Sequence, residues 1–69
     1  MPYYCVNTEA QANGDHEVHD TSACNNLPSI WNRKDLGYHS SCVGAVREAK
    51  KTYWKANGCW HCCRSCHTT

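Results

Sequence analysis

The chain has 69 residues and a formal net charge of +1 at pH 7, so we expect a single small metal-binding or disulfide-stabilised domain (1–69) with a thin core. Seven cysteines and no phenylalanine strengthen that expectation, because small domains with few large apolar residues usually depend on disulfides or a structural metal. The sequence turns polar soon after Met1, a pattern that fits neither a signal peptide nor a membrane span. We therefore expect a cytoplasmic protein, a compartment in which cysteine clusters are more often metal sites than disulfides.

Two short strands are predicted in the first third of the chain, in the segments YYCVN (3–7) and HEVH (16–19). The loop between them contains a strong turn signal, Asn13-Gly14-Asp15. The following segment, NNLPSIWNRKD, is rich in turn-forming residues and is predicted to be irregular, with a brief strand at 36–39 after it.

One helix is predicted from Cys42 to about Lys55, since apolar residues recur there at spacings of three and four. Ser40-Ser41 supplies an N-cap, and Asn57-Gly58 is predicted to end the helix with a left-handed cap. The sequence thus predicts an α+β fold with two or three short strands and one helix of about three turns in the C-terminal half.

The strongest chemical signal is the segment NGCWHCCRSCH at 57–67. Cys59 and Cys62 are separated by two residues, a spacing that directs two thiolates at one ion, and tetrahedral zinc then needs a second pair of ligands. His19 and Cys24 are the leading candidates for that pair. Spacing alone leaves open other ligands: Cys42, Cys63, Cys66, His61 and His67.

Three segments, HEVHDTSAC, LGYHSSCVGAVREAK and NGCWHC, resemble the small Ada-type metal-binding fold. That fold occurs at the head of a bacterial DNA-alkylation repair protein and as a short module in other bacterial proteins, some of them nuclease-associated. The chain is similar still more closely to small bacterial proteins sharing the segments NGDHEVH, LGY-SSC-AV-EAK and NGC-x-x-C. The resemblance spans about residues 16–67.

The resemblance implies a zinc ion held by four residues: His19, Cys24, Cys59 and Cys62. In the repair protein both early ligands are cysteines, and one accepts a methyl group from DNA phosphate. Here His19 occupies the first position, and an imidazole is not that nucleophile. The resemblance therefore implies a structural zinc site without methyl transfer.

The remaining cysteines allow a second class of function. Cys42 lies on the apolar helix face and is predicted to be a buried structural thiol, with Cys42, Cys63, Cys66 and His67 kept as alternative metal ligands. A thiol redox or disulfide-stapled protein is the competing hypothesis. A dithiol after a helix C-terminus lacks the favourable helix dipole that activates redox cysteines, which favours the metal site.

All seven Lys and Arg residues lie in 33–69. On the predicted helix, the face opposite the cysteine and alanine stripe carries Arg47, Lys50, Lys51 and Trp54, which could contact phosphates and stack on a base. The alternative is an ordinary solvated helix face, which the same residues fit better. We therefore predict a small structural zinc-binding module, with nucleic acid or another protein as candidate partners. The sequence shows no catalytic constellation and indicates no small-molecule substrate.

Overall fold

The computed structural model describes residues 3–68 and contains one four-stranded mixed sheet and one short α-helix. The strands are β1 (Tyr3–Asn7), β2 (His16–Asp20), β3 (Arg33–Tyr38) and β4 (Ala56–Gly58), and the helix is α1 (Cys42–Ala49). Two single 3₁₀ turns, Ile30–Asn32 and Arg64–Cys66, precede β3 and follow β4. The predicted α+β class is confirmed.

The strand order across the sheet is β3-β1-β2-β4. The central strand β1 pairs antiparallel with both β2 and β3, and Cys5 of β1 lies opposite His19 of β2. The edge strand β4 pairs parallel with β2, with Val18 opposite Gly58. This parallel pairing brings the segment that follows β4 to the same end of the sheet as the segment that follows β2.

The core lies between α1 and one face of the sheet. Val6 and Val18 from the strands and Ala45 and Ala49 from the helix are all completely buried. Small helix residues let the helix approach the sheet closely, which suits a chain that has few large aliphatic side chains. Because successive strand side chains point to opposite faces, His19 points away from the face that Val18 contributes to this core.

The helix is shorter than the sequence predicts. It begins at Cys42 as expected, but it ends at Ala49, and hydrogen-bonded turns continue the chain to Tyr53. Ser41 occupies the N-cap position without a capping side-chain hydrogen bond. The predicted end near Lys55 is therefore wrong, and α1 has about two turns rather than three.

The Asn57-Gly58 pair forms part of β4 and does not cap the helix. Asn57 is buried, and its side-chain amide donates a hydrogen bond to Asp15 Oδ2 at 3.0 Å. A Cβ on Gly58 would lie 2.6 Å from the carbonyl oxygen of Cys63, so this glycine serves close packing against the following turn. The third strand also differs from its prediction, since β3 begins at Arg33 and ends at Tyr38.

Across residues 3–68, no helix is long and apolar enough to cross a membrane.

Candidate metal centre

Four side chains converge at the end of the sheet where β2 and β4 both finish: His19, Cys24, Cys59 and Cys62. One ligand atom from each lies within 4.8 Å of the ligand atoms of the other three. These are the four residues that the sequence singles out, and the structure brings all of them together. Within the described part of the chain, no other group of three or more His, Cys, Asp or Glu side chains converges in this way.

The separations between donor atoms match a tetrahedral metal site. Zinc–sulfur bonds of about 2.3 Å in a tetrahedron place two sulfurs about 3.8 Å apart, and a sulfur and an imidazole nitrogen slightly closer. The two Sγ atoms of Cys24 and Cys59 are 4.0 Å apart. His19 Nδ1 lies 3.5 Å from Cys24 Sγ and 3.9 Å from Cys62 Sγ. The donor set therefore fits a tetrahedrally bound metal ion.

The backbone fixes these ligands through strand pairing and two tight turns. The Cys59 amide donates to the Val18 carbonyl at 2.9 Å, which continues the parallel pairing and sets Cys59 beside His19. The turn after β2 closes when the Cys24 amide donates to the Asp20 carbonyl at 3.1 Å. The C-x-x-C turn closes through the Cys63 amide and the Cys59 carbonyl, at 2.8 Å.

Each cysteine sulfur of the group also accepts a backbone hydrogen bond. The amides of Asp20, Asn26 and His61 donate to Cys62, Cys24 and Cys59 respectively, each at 3.4 Å. Hydrogen bonds of this kind favour the charged thiolate over the neutral thiol. Backbone amides therefore point at all three sulfurs, and at Cys59 and Cys62 this hydrogen bonding opposes the effect of burial on the thiol pKa.

Burial acts in the opposite direction when the ligands carry no metal. It raises the pKa of the Cys59 and Cys62 thiols, so both hold their protons at neutral pH. It also lowers the pKa of His19, whose side chain is only 1% exposed, so that the imidazole is neutral. A neutral imidazole is ready to bind a metal, whereas the thiols must release protons as the metal enters.

Two of the alternative ligands are joined to each other. Cys42, at the start of α1, forms a disulfide with Cys66, across a sequence separation of 24 residues. Cys42 is buried as predicted, but the prediction that it is a thiol is wrong, and neither cysteine is available as a thiolate in this state. The bond became possible because the 3₁₀ turn at 64–66 packs against α1, an approach that sequence spacing does not reveal.

The other two alternatives lie near the group without joining it. Cys63 is buried in the core, with its Sγ 3.9 Å from Cys62 Sγ, and burial raises the pKa of its thiol. The ring of His67 is hydrogen-bonded through Nδ1 to the Gly58 carbonyl at 3.0 Å. His61, which spacing alone left open as a ligand, is exposed and lies outside the group.

Sequence reasoning missed one residue beside the group. Glu17 Oε1 lies 3.7 Å from His19 Nε2, the ring nitrogen that points away from the cysteines. The two residues are two positions apart on β2, which places them on the same face of the sheet. That spacing in the HEVH segment was the available signal.

The basic residues named from the sequence are exposed but do not form a single helix face. Arg47 is on α1, whereas Lys50, Lys51 and Trp54 follow its last residue. Lys51 pairs with Glu48 at 3.0 Å. The Trp54 indole is 80% exposed and borders a cleft of about 150 Å³ that is lined by Gly14, His16, Thr52, Tyr53, Trp54 and Lys55.

Comparison of the chain with protein-family models, with curated proteins and with solved structures finds no match.

Proposed function

We propose that this protein is a small structural zinc-binding module in which His19, Cys24, Cys59 and Cys62 hold the ion. The observation that carries the proposal is the convergence of one imidazole and three thiols at tetrahedral separations. When bound, the ion would link the end of β2, the turn after it and the segment that follows β4. Its chemical contribution would be to hold these segments together.

The environment of the four ligands supports a structural role over a catalytic one. Catalytic zinc sites use three protein ligands and leave a position for water or substrate, whereas structural sites use four. Here four donors are present, and His19, Cys24 and Cys59 are buried. Three sulfur donors also favour zinc over magnesium or calcium, which prefer oxygen ligands. We also propose, separately, that the module is related to the Ada-type fold that the sequence resembles.

Native mass spectrometry of protein purified without added metal tests the proposal directly. We expect one zinc ion per chain, released by acid because the ligands must then take up protons. Cobalt substitution gives a second readout, since a tetrahedral sulfur-rich cobalt site has intense visible absorption. Cys59→Ser should abolish that absorption, whereas His61→Ala, a change at an exposed neighbour, should leave it intact. A metal-free native protein with cobalt absorption no stronger than that of Cys59→Ser would refute the zinc module.

A second candidate function is binding of single-stranded nucleic acid around Trp54. It is favoured by one observation, an indole that is 80% exposed in a segment that also contains Lys50, Lys51 and Lys55. Exposed aromatic rings stack on bases, and nearby lysines contact phosphates. The same chemistry could bind an acidic protein partner. The test therefore includes single-stranded and double-stranded oligonucleotides and a simple polyanion.

Matched variants make the nucleic-acid test specific. Trp31 is 87% exposed but precedes the opposite edge strand, so Trp31→Ala is the control for Trp54→Ala. Lys34 is exposed on β3, so Lys34→Ala is the control for Lys51→Ala. Affinity for single-stranded oligonucleotides should fall with salt, fall about tenfold or more in Trp54→Ala, and persist in Trp31→Ala. Absence of binding at low salt, or equal binding to a simple polyanion, would reject this function.

A further inference from the structure

The four donors differ in how the surrounding protein supports them. Each of the three sulfurs accepts a hydrogen bond from a backbone amide, at 3.4 Å in every case. The His19 ring lacks such support: its Nε2 atom is buried and makes no hydrogen bond. The nearest charged group is the carboxylate of Glu17, with Oε1 at 3.7 Å from Nε2.

The orientation of the ring determines which nitrogen would bind a metal. Nδ1 faces the cysteines, at 3.5 Å from Cys24 Sγ and 3.9 Å from Cys62 Sγ. A neutral imidazole that donates its Nδ1 lone pair to a metal must carry its hydrogen on Nε2. That N–H is a buried donor, and a buried donor without an acceptor is costly.

We propose that Glu17 is a positioning residue that accepts a hydrogen bond from His19 Nε2 and so holds Nδ1 toward the metal. The inference rests on the proposed zinc-binding function and adds a fifth residue to it. Glu17 lies on the same face of β2 as His19, and its side chain is 21% exposed. A carboxylate in this position fixes the tautomer and the ring orientation, and it strengthens the imidazole as a ligand.

Glu17 itself is held in place by the sheet. It lies in β2 with Asn57 of β4 as its parallel partner, next to the pair Val18 and Gly58. Strand pairing sets Cys59 beside His19, and the two-residue spacing along β2 sets the carboxylate beside the imidazole. The 3.7 Å contact is longer than an N–H···O hydrogen bond of about 2.7–3.2 Å, so the proposal requires the Glu17 carboxylate to approach Nε2 by about 0.5 Å or more.

Zinc affinity of two Glu17 variants separates hydrogen bonding from charge. Glu17→Leu removes the acceptor, and we expect zinc affinity to fall about 10–100-fold in competition with a chromophoric chelator. Glu17→Gln removes the charge but keeps an acceptor oxygen, so it should retain most of the affinity. Glu48→Leu and Glu48→Gln remove a carboxylate that pairs with Lys51 just after the helix, and these variants should bind zinc like the unmodified chain.

Ring nitrogen NMR of the zinc-loaded, unsubstituted protein provides a readout that needs no variant to fold. We expect Nδ1 of His19 to carry the signature of metal binding, and Nε2 to carry a proton that exchanges slowly with solvent. In Glu17→Leu that proton should exchange faster, an effect that a purely structural role of Glu17 would not produce.

The outcomes distinguish this inference from the function on which it rests. If the unsubstituted protein binds no zinc, both proposals fail. If it binds zinc but Glu17→Leu binds equally tightly, or if NMR shows the metal on Nε2, the role of Glu17 is overturned while the zinc module stands. A loss in Glu17→Gln as large as that in Glu17→Leu would also overturn it, since charge rather than the hydrogen bond would then be responsible.

Discussion

Two linkages, a disulfide and the proposed metal site, would hold the segment that follows β4 and fasten it to opposite parts of the molecule. In the proposed metal site, an ion would tie Cys59 and Cys62 to His19 and Cys24, at the end of β2. The disulfide ties Cys66, a few residues further along, to Cys42 at the start of α1. One linkage joins the segment to the sheet, and the other joins it to the helix.

The two linkages are broken by different reagents. The proposed metal site would open to chelators and acid, whereas the disulfide opens to reductants. From the sequence these were competing hypotheses for the cysteines. The structure contains both a disulfide and a separate group that could hold a metal, because seven cysteines are enough to supply the two at once. The comparison teaches that each linkage can be removed while the other is kept, and that their contributions to folding can be measured separately.

The largest expected effect comes from removing a metal ligand. Structural zinc contributes about 10–16 kcal/mol in small peptides at neutral pH, more than any other single interaction available to this thin core. We therefore expect Cys59→Ser to leave the chain largely disordered even when the disulfide is closed. Amide NMR spectra before and after strong chelation measure the same effect in the unsubstituted chain.

The matched control for this prediction is His61→Ala, which changes an exposed side chain between the two cysteines. It should leave the spectrum dispersed in the presence of zinc. A dispersed, unchanged spectrum after chelation and reduction would show that packing alone holds the fold. The prediction that the proposed metal site is needed for folding would then be wrong.

The next effect in size comes from the disulfide. Replacing Cys42 and Cys66 together by alanine removes a constraint on about 25 residues, which is worth about 3.5 kcal/mol through the entropy of the unfolded chain. We expect denaturation midpoints of the zinc-loaded double variant to fall accordingly, with one zinc still bound. Loss of zinc from this variant would mean that the two linkages are not independent.

A buried cysteine outside both linkages provides a test at high pH. Burial raises the pKa of Cys5 from its ordinary value of 9.0 to about 11. Since the folded-state pKa is the higher one, the stabilisation is complete below pH 9 and is lost as pH rises from 9 to 11. The loss should approach about 2–3 kcal/mol, from about 1.4 kcal/mol for each pKa unit.

Denaturant unfolding of the unsubstituted chain and of Cys5→Ala across this range isolates the effect. The stability difference between the two should shrink as pH rises, because the alanine variant has no thiol to ionise at this position. A constant difference would show that Cys5 does not titrate with a raised pKa. It would also indicate that alkaline unfolding begins at one of the two linkages.

The smallest expected effect comes from a substitution at Gly58, next to the segment that carries both linkages. Gly58→Ala would place a Cβ 2.6 Å from the Cys63 carbonyl oxygen and 2.7 Å from Cys66 Cβ. The backbone must then shift, at a cost of about 1–3 kcal/mol, and zinc affinity should fall as Cys59 and Cys62 move. Gly44→Ala in α1 is the control, because the nearest atom there belongs to the His39 side chain. Equal stability losses in the two variants would contradict this account.

Sequence patterns predicted the local features of the fold well. The bounds of β1 and the start of β2 follow from short runs of strand-forming residues next to turn signals, and the start of α1 follows from its apolar spacing. The four converging side chains were also named, because a C-x-x-C pair needs partners and the Ada-type resemblance points to His19 and Cys24.

What the sequence failed to predict depends on contacts between distant residues. The strand β4 has three residues, Ala-Asn-Gly, with no apolar alternation, and it exists because β2 offers an edge for parallel pairing. The helix also ends earlier than predicted, at Ala49, and hydrogen-bonded turns carry the chain on toward that edge. The disulfide depends on the approach of the 64–66 turn to α1, which no spacing rule encodes.

The position of β4 has a consequence for how the protein is made. During synthesis, a nascent chain that reaches Lys55 contains β1, β2, β3 and α1 but lacks β4, Cys59, Cys62 and Cys66. Such a chain has only His19 and Cys24 of the four converging residues, and Cys42 has no partner for its disulfide. Both linkages must therefore form after translation of the last strand. A fragment that ends at Lys55 should accordingly be disordered and bind zinc only weakly, whether or not oxidant is present.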